Sequence, residues 1–167
     1  MREPRSCLVV FTKPARPGLV KTRLVGKLTA ERAALLQGAF LEDLLVRMQG
    51  GDFQTRLAWA VESDELLPQS RMEAFRQVEG DLGDRLFSGL NRMLAEFDYV
   101  AAVGSDHPDL SETVVVEAFD KLAAGTDVVL GPASDGGYYL IGVTRSSLQK
   151  ELFSDVDWST DRVLEQT

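Results

Sequence analysis

Short apolar runs of strand length alternate along this chain with longer stretches in which apolar positions recur every three or four residues. The first run, Cys7-Leu8-Val9-Val10-Phe11, predicts a buried strand. A polar segment rich in Pro and Gly follows. A helical pattern then starts behind Thr29, a predicted N-cap, and continues to about Gln49. In it Leu35, Leu36, Ala39, Phe40, Asp43, Leu44 and Val46-Arg47-Met48 recur at helical spacing, and Gly50-Gly51-Asp52 ends it. Thr55 to Val61 predicts a second strand, Pro68 closes the segment after it, and Phe75-Arg76-Gln77-Val78 predicts a short third strand. Gly80-Asp81-Leu82-Gly83-Asp84-Arg85 is a turn-rich hinge into a helix from about Asp84 to Phe97, with Leu86, Leu90, Met93, Leu94 and Phe97 inward.

The second half repeats the alternation. Tyr99 to Gly104 predicts a buried strand, and Ser111 caps a helix that lasts to about Ala124, with Glu112 suiting its dipole. Asp127 to Pro132 and Tyr138 to Val143 predict two more strands around the loop Ser134-Asp135-Gly136-Gly137. Ser159 is a predicted N-cap for a last helix, and Trp158 before it is either a hydrophobic staple or a pocket wall. Strands alternating with helices predict an α/β class: a single three-layer α/β/α domain with a mostly parallel, mixed sheet covered on both faces.

Length and composition narrow the class. The 167 residues fit one domain and can bury most of their apolar surface. No apolar run approaches the roughly 18 residues of a membrane span. The five-residue run after Met1-Arg2-Glu3-Pro4-Arg5-Ser6 is shorter than a signal-peptide core of about 7–15. The single cysteine, Cys7, lies in a strand, where a buried inert thiol is expected rather than a nucleophile. A cytoplasmic protein is the default expectation. The net charge of −8 argues against a general nucleic-acid binder.

That charge is unevenly spread. The first 32 residues carry eight Lys/Arg against Glu3 and Glu31, a local +6, and the remainder carries ten against twenty-four. The stretch from Lys13 to Lys27 holds Lys13, Arg16, Lys21, Arg23 and Lys27 with no acid, plus Pro14, Pro17, Gly18 and Gly26. It follows the first strand directly, and ligands of open α/β sheets sit beyond the carboxyl ends of strands. Arg offers an anion bidentate geometry and Lys a mobile charge, so the stretch reads either as a phosphate cradle or as a solvated basic loop.

Ser105-Asp106-His107-Pro108-Asp109 comes straight off a strand. Hard carboxylate oxygens there suit Mg²⁺ or Mn²⁺ bridging to phosphates, with Asp106 as ligand and Asp109 either sharing the ion or opening the next helix. A plain turn is the other reading of this Asp/Pro segment. His107, the only histidine, has no nucleophile or second His nearby in sequence to mark it as a general base. Gly80 to Arg85 either receives a ligand, with Asp81 accepting from a base or ribose and Gly83 allowing close approach, or is an N-cap and turn. Asp135-Gly136-Gly137 is a tight loop at a strand mouth whose shape suits a substrate-facing role. Of Tyr138 and Tyr139, which alternate across a strand, one is expected in the core and one against a ring. No P-loop, dinucleotide fingerprint or zinc spacing is present in the sequence.

Taken in order, these pieces resemble one family. Pro17-Gly18-x-Val20-Lys21-Thr22-Arg23-Leu24, Gly80-Asp81-Leu82-Gly83-x-Arg85-Leu86, Gly104-x-Asp106-x-Pro108-x-Leu110, Gly131-Pro132-Ala133-x-Asp135-Gly136-Gly137-Tyr138-Tyr139-Leu140-Ile141-Gly142 and Trp158-Ser159-Thr160 look like a bacterial glycosyltransferase family of the nucleotide-diphospho-sugar transferase fold, GT-A. The Lys21-Thr22-Arg23-Leu24 piece also resembles guanylyltransferases acting on 2-phospholactate, and the layout is similar, more distantly, to the molybdenum-cofactor guanylyltransferases. The resemblance spans about residues 8 to 167. It implies a metal-dependent glycosyl- or nucleotidyltransferase that takes a nucleotide or nucleotide-sugar donor and an acceptor that no motif names.

On that reading Lys21, Arg23 and Asp106 are catalytic. Lys13, Arg16, Gly18, Asp81, Gly83, Asp135, Gly136, Gly137 and Tyr138 bind nucleotide or substrate, and Asp106 and Asp109 hold Mg²⁺ or Mn²⁺. A non-catalytic nucleotide-binding module, or an interaction domain without a ligand, is the alternative outside enzymology. Two departures are visible. The family commonly carries Cys or another small residue where this chain has His107, which speaks against an essential role there. Relatives usually continue with another strand and an Asp-rich segment. The expectation is therefore a single GT-A-like nucleotide-binding domain over 1–167 without that C-terminal part, either active or impaired.

Overall fold

The computed structural model describes residues 5–167; Met1 to Pro4, with the Arg2 and Glu3 charges counted above, lie outside the described residues. Six strands form one sheet in the order β3-β2-β1-β4-β6-β5. They are β1 (Ser6–Thr12), β2 (Gln54–Trp59), β3 (Ala74–Arg76), β4 (Tyr99–Gly104), β5 (Val128–Pro132) and β6 (Tyr138–Thr144). β1 pairs in parallel with both β2 and β4, and β2 with β3. β6 runs antiparallel between β4 and β5. The mixed, mostly parallel sheet expected from the alternation is the observed one.

The helices are α1 (Ala30–Arg47), α2 (Leu82–Leu94), α3 (Glu112–Ala123) and a short α4 (Val163–Gln166). Successive residues of a strand point to opposite faces, so each central strand feeds two cores. Cys7 and Val9 of β1, with Val100 and Ala102 of β4, pack under α2 beside Leu86, Leu90, Met93 and Phe97. Leu8, Val10, Ala101 and Val103 pack on the other face against Leu44 of α1, Met48 at its C-cap, and Val115, Ala118, Phe119 and Leu122 of α3. Thr29 and Ser111 cap α1 and α3 as expected, accepting from the backbone N–H groups of Arg32 and Val114.

Three local expectations are corrected. The buried face of α1 carries Ala33, Ala34, Gln37 and Leu44, while Leu35 is 73% exposed and Val46 64%. The apolar residues of that helix nearly encircle it, so periodicity alone did not select the face the sheet would cover. α2 begins at Leu82 rather than Asp84, because Asp81 is its N-cap and accepts from Asp84 N at 2.9 Å. Ser159 does not cap the last helix. It sits at φ 68°, and the cap position before Val163 is Arg162. Trp158 instead packs with Phe153 against the α2 core, and both touch the first turn of that helix at Gly83.

Candidate functional site

The carboxyl ends of β1 and β4 meet in a small buried polar knot. Ser105 Oγ accepts from Thr12 Oγ1 at 2.9 Å and from Gln37 Nε2 at 2.8 Å. All three side chains are about 5% exposed or less. The knot ties the first helix to the two central strands where the chain leaves the sheet, and it satisfies groups that would be costly to bury alone. Gln77 Nε2 adds a bond to Ala58 O at 2.7 Å, locking the end of β3 to that of β2. These residues were not singled out from sequence. The available signal was Gln37, a polar residue on a helix between Ala33, Ala34 and Leu44.

Above the knot lies the basic stretch. Pro14 to Val20 turns back on itself, with Gly18 at φ 80°, and a single 3₁₀ turn covers Thr22–Leu24. Lys21 takes the left-handed conformation at φ 47°. That bend carries its side chain inward, where Nζ lies 2.7 Å from Asp106 Oδ1 and 4.5 Å from the centroid of the Phe40 ring. The Lys21 side chain is 14% exposed and that of Asp106 is 67% exposed. The carboxylate therefore presents its other face to solvent at the mouth of the site. Arg23 is exposed on the 3₁₀ turn.

Across the ends of β1, β2 and β3 opens a cleft of about 730 Å³, whose walls include neither Lys21 nor Asp106. Lys13, Arg16, Arg76 and Arg85 line it together with Glu62, Glu65 and Glu79. Arg16 and Glu65 form an ion pair at 2.5 Å, and Arg76 donates to the Glu65 carbonyl. The hydrogen bond from Arg16 holds the Glu65 carboxyl below its ordinary range. The cleft is large enough for a nucleotide-sized ligand, by comparison with the roughly 300–1,000 Å³ of small-molecule sites.

The antiparallel entry of β6 brings the loop 133–137 to the same edge of the sheet. Asp135 Oδ1 accepts from Gly137 N at 3.1 Å, and Gly136 stands at φ 85°. Leu164 N donates to Gly136 O at 2.9 Å, so the C-terminal segment braces the loop from behind. Tyr138 packs toward the α2 core and Tyr139 toward the α3 core. Burial pushes the Tyr138 phenol above its ordinary range. The Tyr139 ring centroid lies 5.8 Å from that of His107.

The structure thus brings Lys13 and Arg16 into one cleft and pairs Lys21 with Asp106 outside its walls, with Asp135 to Gly137 at the same end of the sheet. Asp81 and Gly83 stand at the start of α2, with one oxygen of Asp81 engaged as the cap. Asp109 lines a separate recess with His107, Ser111 and Tyr139. Among the described residues, no group of three or more His, Cys, Asp or Glu converges as a metal cage. A single carboxylate, already facing an ammonium, fits Mg²⁺ or Mn²⁺ only where phosphate oxygens complete the coordination, as is usual for Mg²⁺ in phosphate sites. No helix among the described residues is long and apolar enough to cross a membrane.

The comparisons with known proteins agree with this geometry at the level of fold. The crystal structure of a protein from Desulfovibrio desulfuricans G20, provisionally described as a nucleotide-diphospho-sugar transferase, is similar with a TM-score of 0.87 and 31% identity, over 96% of this chain and 72% of that one. A cytidylyltransferase from Leptospira borgpetersenii serovar Hardjo-bovis shares the fold at a TM-score of 0.60 and 14% identity, over 92% of this chain and 65% of the other. A 4-diphosphocytidyl-2C-methyl-D-erythritol synthase from Anaerococcus prevotii does so at 0.55 and 13%, over 96% and 81%. No protein of curated function matches the chain. The profile of a bacterial family described as uncharacterized, DUF2064, matches residues 42–160, and the chain belongs to that family.

Proposed function

We propose that this protein is a transferase that uses a nucleotide-diphospho-sugar, held by its diphosphate at the carboxyl edge of β1 and β4. The observation that carries the reading is the Lys21–Asp106 pair at 2.7 Å. It joins the basic stretch to a strand-end carboxylate at the place where an open α/β sheet takes ligands. Lys13, Arg16, Lys21 and Arg23 would offset the charge on the departing nucleoside diphosphate, and such stabilisation of developing charge is commonly the largest catalytic contribution. Asp81 and Gly83 would border the base or ribose. Asp135, Gly136, Gly137 and Tyr138 would shape the far side. Asp106, with phosphate oxygens, would hold a divalent ion, whose chemistry when bound is to neutralise charge on those phosphates.

The experiment is incubation with a panel of nucleotide sugars and Mn²⁺, following release of nucleoside diphosphate. Binding is checked in parallel by thermal shift, since a ligand at 100 times its Kd adds about 2.7 kcal/mol of stability. One observation favours a second reading, nucleotidyl transfer with release of pyrophosphate. The stretch from Lys13 to Lys27 carries five cations, more than a diphosphate requires. Pyrophosphate release from GTP or CTP plus a phosphorylated acceptor, with nucleotide sugars inert, selects that reading instead.

A further inference from the structure

The recess around Tyr139 lies outside the cleft and the basic stretch. Its volume is about 240 Å³, and its walls are His107, Asp109, Leu110, Ser111, Val114 and Tyr139. It begins one residue beyond Asp106, and Tyr139 enters it from the second position of β6, close to where that strand starts at the same sheet edge. The Tyr139 ring is held from two sides. His107 packs at an interplanar angle of 56° with centroids 5.8 Å apart. On the other side Gly131 allows the ring to lie on the strand, because a Cβ there would stand 2.6 Å from Tyr139 Cζ. The result is a fixed aromatic wall facing one carboxylate.

The chemistry of the walls selects the occupant. No lysine or arginine lines the recess, and Asp109 puts a negative charge in it. A phosphorylated ligand would be repelled there. The other acid nearby, Glu112, leans away toward Gly50, where its Oε2 would meet an added Cβ at 2.6 Å. Asp109 is exposed and can accept hydrogen bonds from hydroxyls, and the apolar face of a sugar or polyol can lie on an aromatic ring. A volume below the roughly 300–1,000 Å³ of drug-sized ligand sites suits a single ring.

Resting on the donor reading above, we propose that this recess is the acceptor subsite, and that the acceptor is a hydroxyl-bearing molecule without phosphate, its ring lying against Tyr139 and a hydroxyl on Asp109. Donor phosphates on the Lys21 side and an uncharged acceptor on the Tyr139 side would then flank Asp106 and approach each other at the edge of the sheet.

The probe is glucose, with glucose 6-phosphate as its anionic counterpart, each followed by saturation-transfer NMR on the full chain. Saturation should pass to glucose ring protons in the wild type and in Tyr139→Phe, fall at least fivefold in Tyr139→Ala, and be at least fivefold weaker for glucose 6-phosphate. Absence of transfer to glucose, equal transfer in Tyr139→Ala, or stronger transfer to the phosphate ester would each overturn the assignment. Release of nucleoside diphosphate from the donor without any acceptor is measured on the same variants. Absence of sugar contact in the wild type, with its donor breakdown intact, condemns the recess alone. Donor inertness with sugar contact intact condemns only the donor reading.

Discussion

Lys21 and Asp106 lie 85 positions apart in sequence and 2.7 Å apart in space, the lysine largely buried and the carboxylate largely open. The pair takes the Lys21 ammonium out of solvent and sets it against a carboxylate. On the proposed reading, the ammonium would move to a donor phosphate and the freed carboxylate would take the metal ion. Lys21→Ala should therefore weaken nucleotide binding by about 1.5–3 kcal/mol, the usual value of a charge-assisted contact. Arg23→Ala should act in the same direction. Thermal unfolding should stay near wild type for Arg23→Ala, since exposed charges contribute little to stability. Calorimetry with unchanged nucleotide affinity in both variants would remove the phosphate cradle.

Asp106→Asn keeps the shape and removes the charge. It should abolish the increment that Mn²⁺ adds to nucleotide affinity, while affinity without metal persists because Lys21 is no longer neutralised. Asp109→Asn, in the separate recess, should leave the Mn²⁺ increment nearly intact. A Mn²⁺ titration in which Asp109→Asn is the more damaging places the ion on the other carboxylate.

Gly136→Ala tests the brace behind the loop 133–137. The position needs φ 85°, and an added Cβ would stand 2.0 Å from the Asp161 carbonyl oxygen. Left-handed strain alone costs on the order of 1–3 kcal/mol for a residue with a side chain. The clash is with backbone and adds to it. Chemical denaturation should show a midpoint well below wild type. An unchanged midpoint means the C-terminal segment does not rest on this loop in solution.

Ser105→Ala removes the hub of the buried knot. Thr12 Oγ1 and Gln37 Nε2 would both lose their 2.8–2.9 Å partner. A buried donor left unsatisfied costs about 1–3 kcal/mol, so a destabilisation of at least that size is expected in equilibrium unfolding. A change below about 0.5 kcal/mol would mean that water already enters the knot.

Cys7 gives a pH prediction. Burial in β1 pushes its thiol from 9.0 up to about 12. The folded-state value lies above the unfolded one, so this contribution to stability is fully present below about pH 9 and declines as pH rises toward 12. Alkylation of the native protein at pH 8 should accordingly run at the rate of global or local opening, and faster in denaturant. Rapid labelling of the folded chain at pH 8 would contradict the burial.

The order and type of the elements were legible in the residues alone. Each run of β-branched and apolar residues became a strand, because such a run can be satisfied only inside a sheet covered on both faces. The caps at Thr29 and Ser111 were legible since a capping side chain bonds within three residues. The positive stretch and the carboxylate at the end of β4 were visible too, as residue types next to predicted strand ends. What the tertiary structure alone decided is how those pieces meet. The antiparallel insertion of β6 between β4 and β5 follows from non-local pairing, and it is what carries Asp135 to Gly137 to the edge where Lys21 stands. The face α1 buries was set by the sheet beneath it, because Leu35 and Leu44 are equally apolar and only packing distinguishes them. Ser159 does not cap the last helix either: it stands at φ 68°, next to Trp158, which packs against the α2 core. The Lys21–Asp106 pair and the recess behind Asp106 belong to this second class, since contacts across 85 or more positions or between separate strands have no local pattern to announce them.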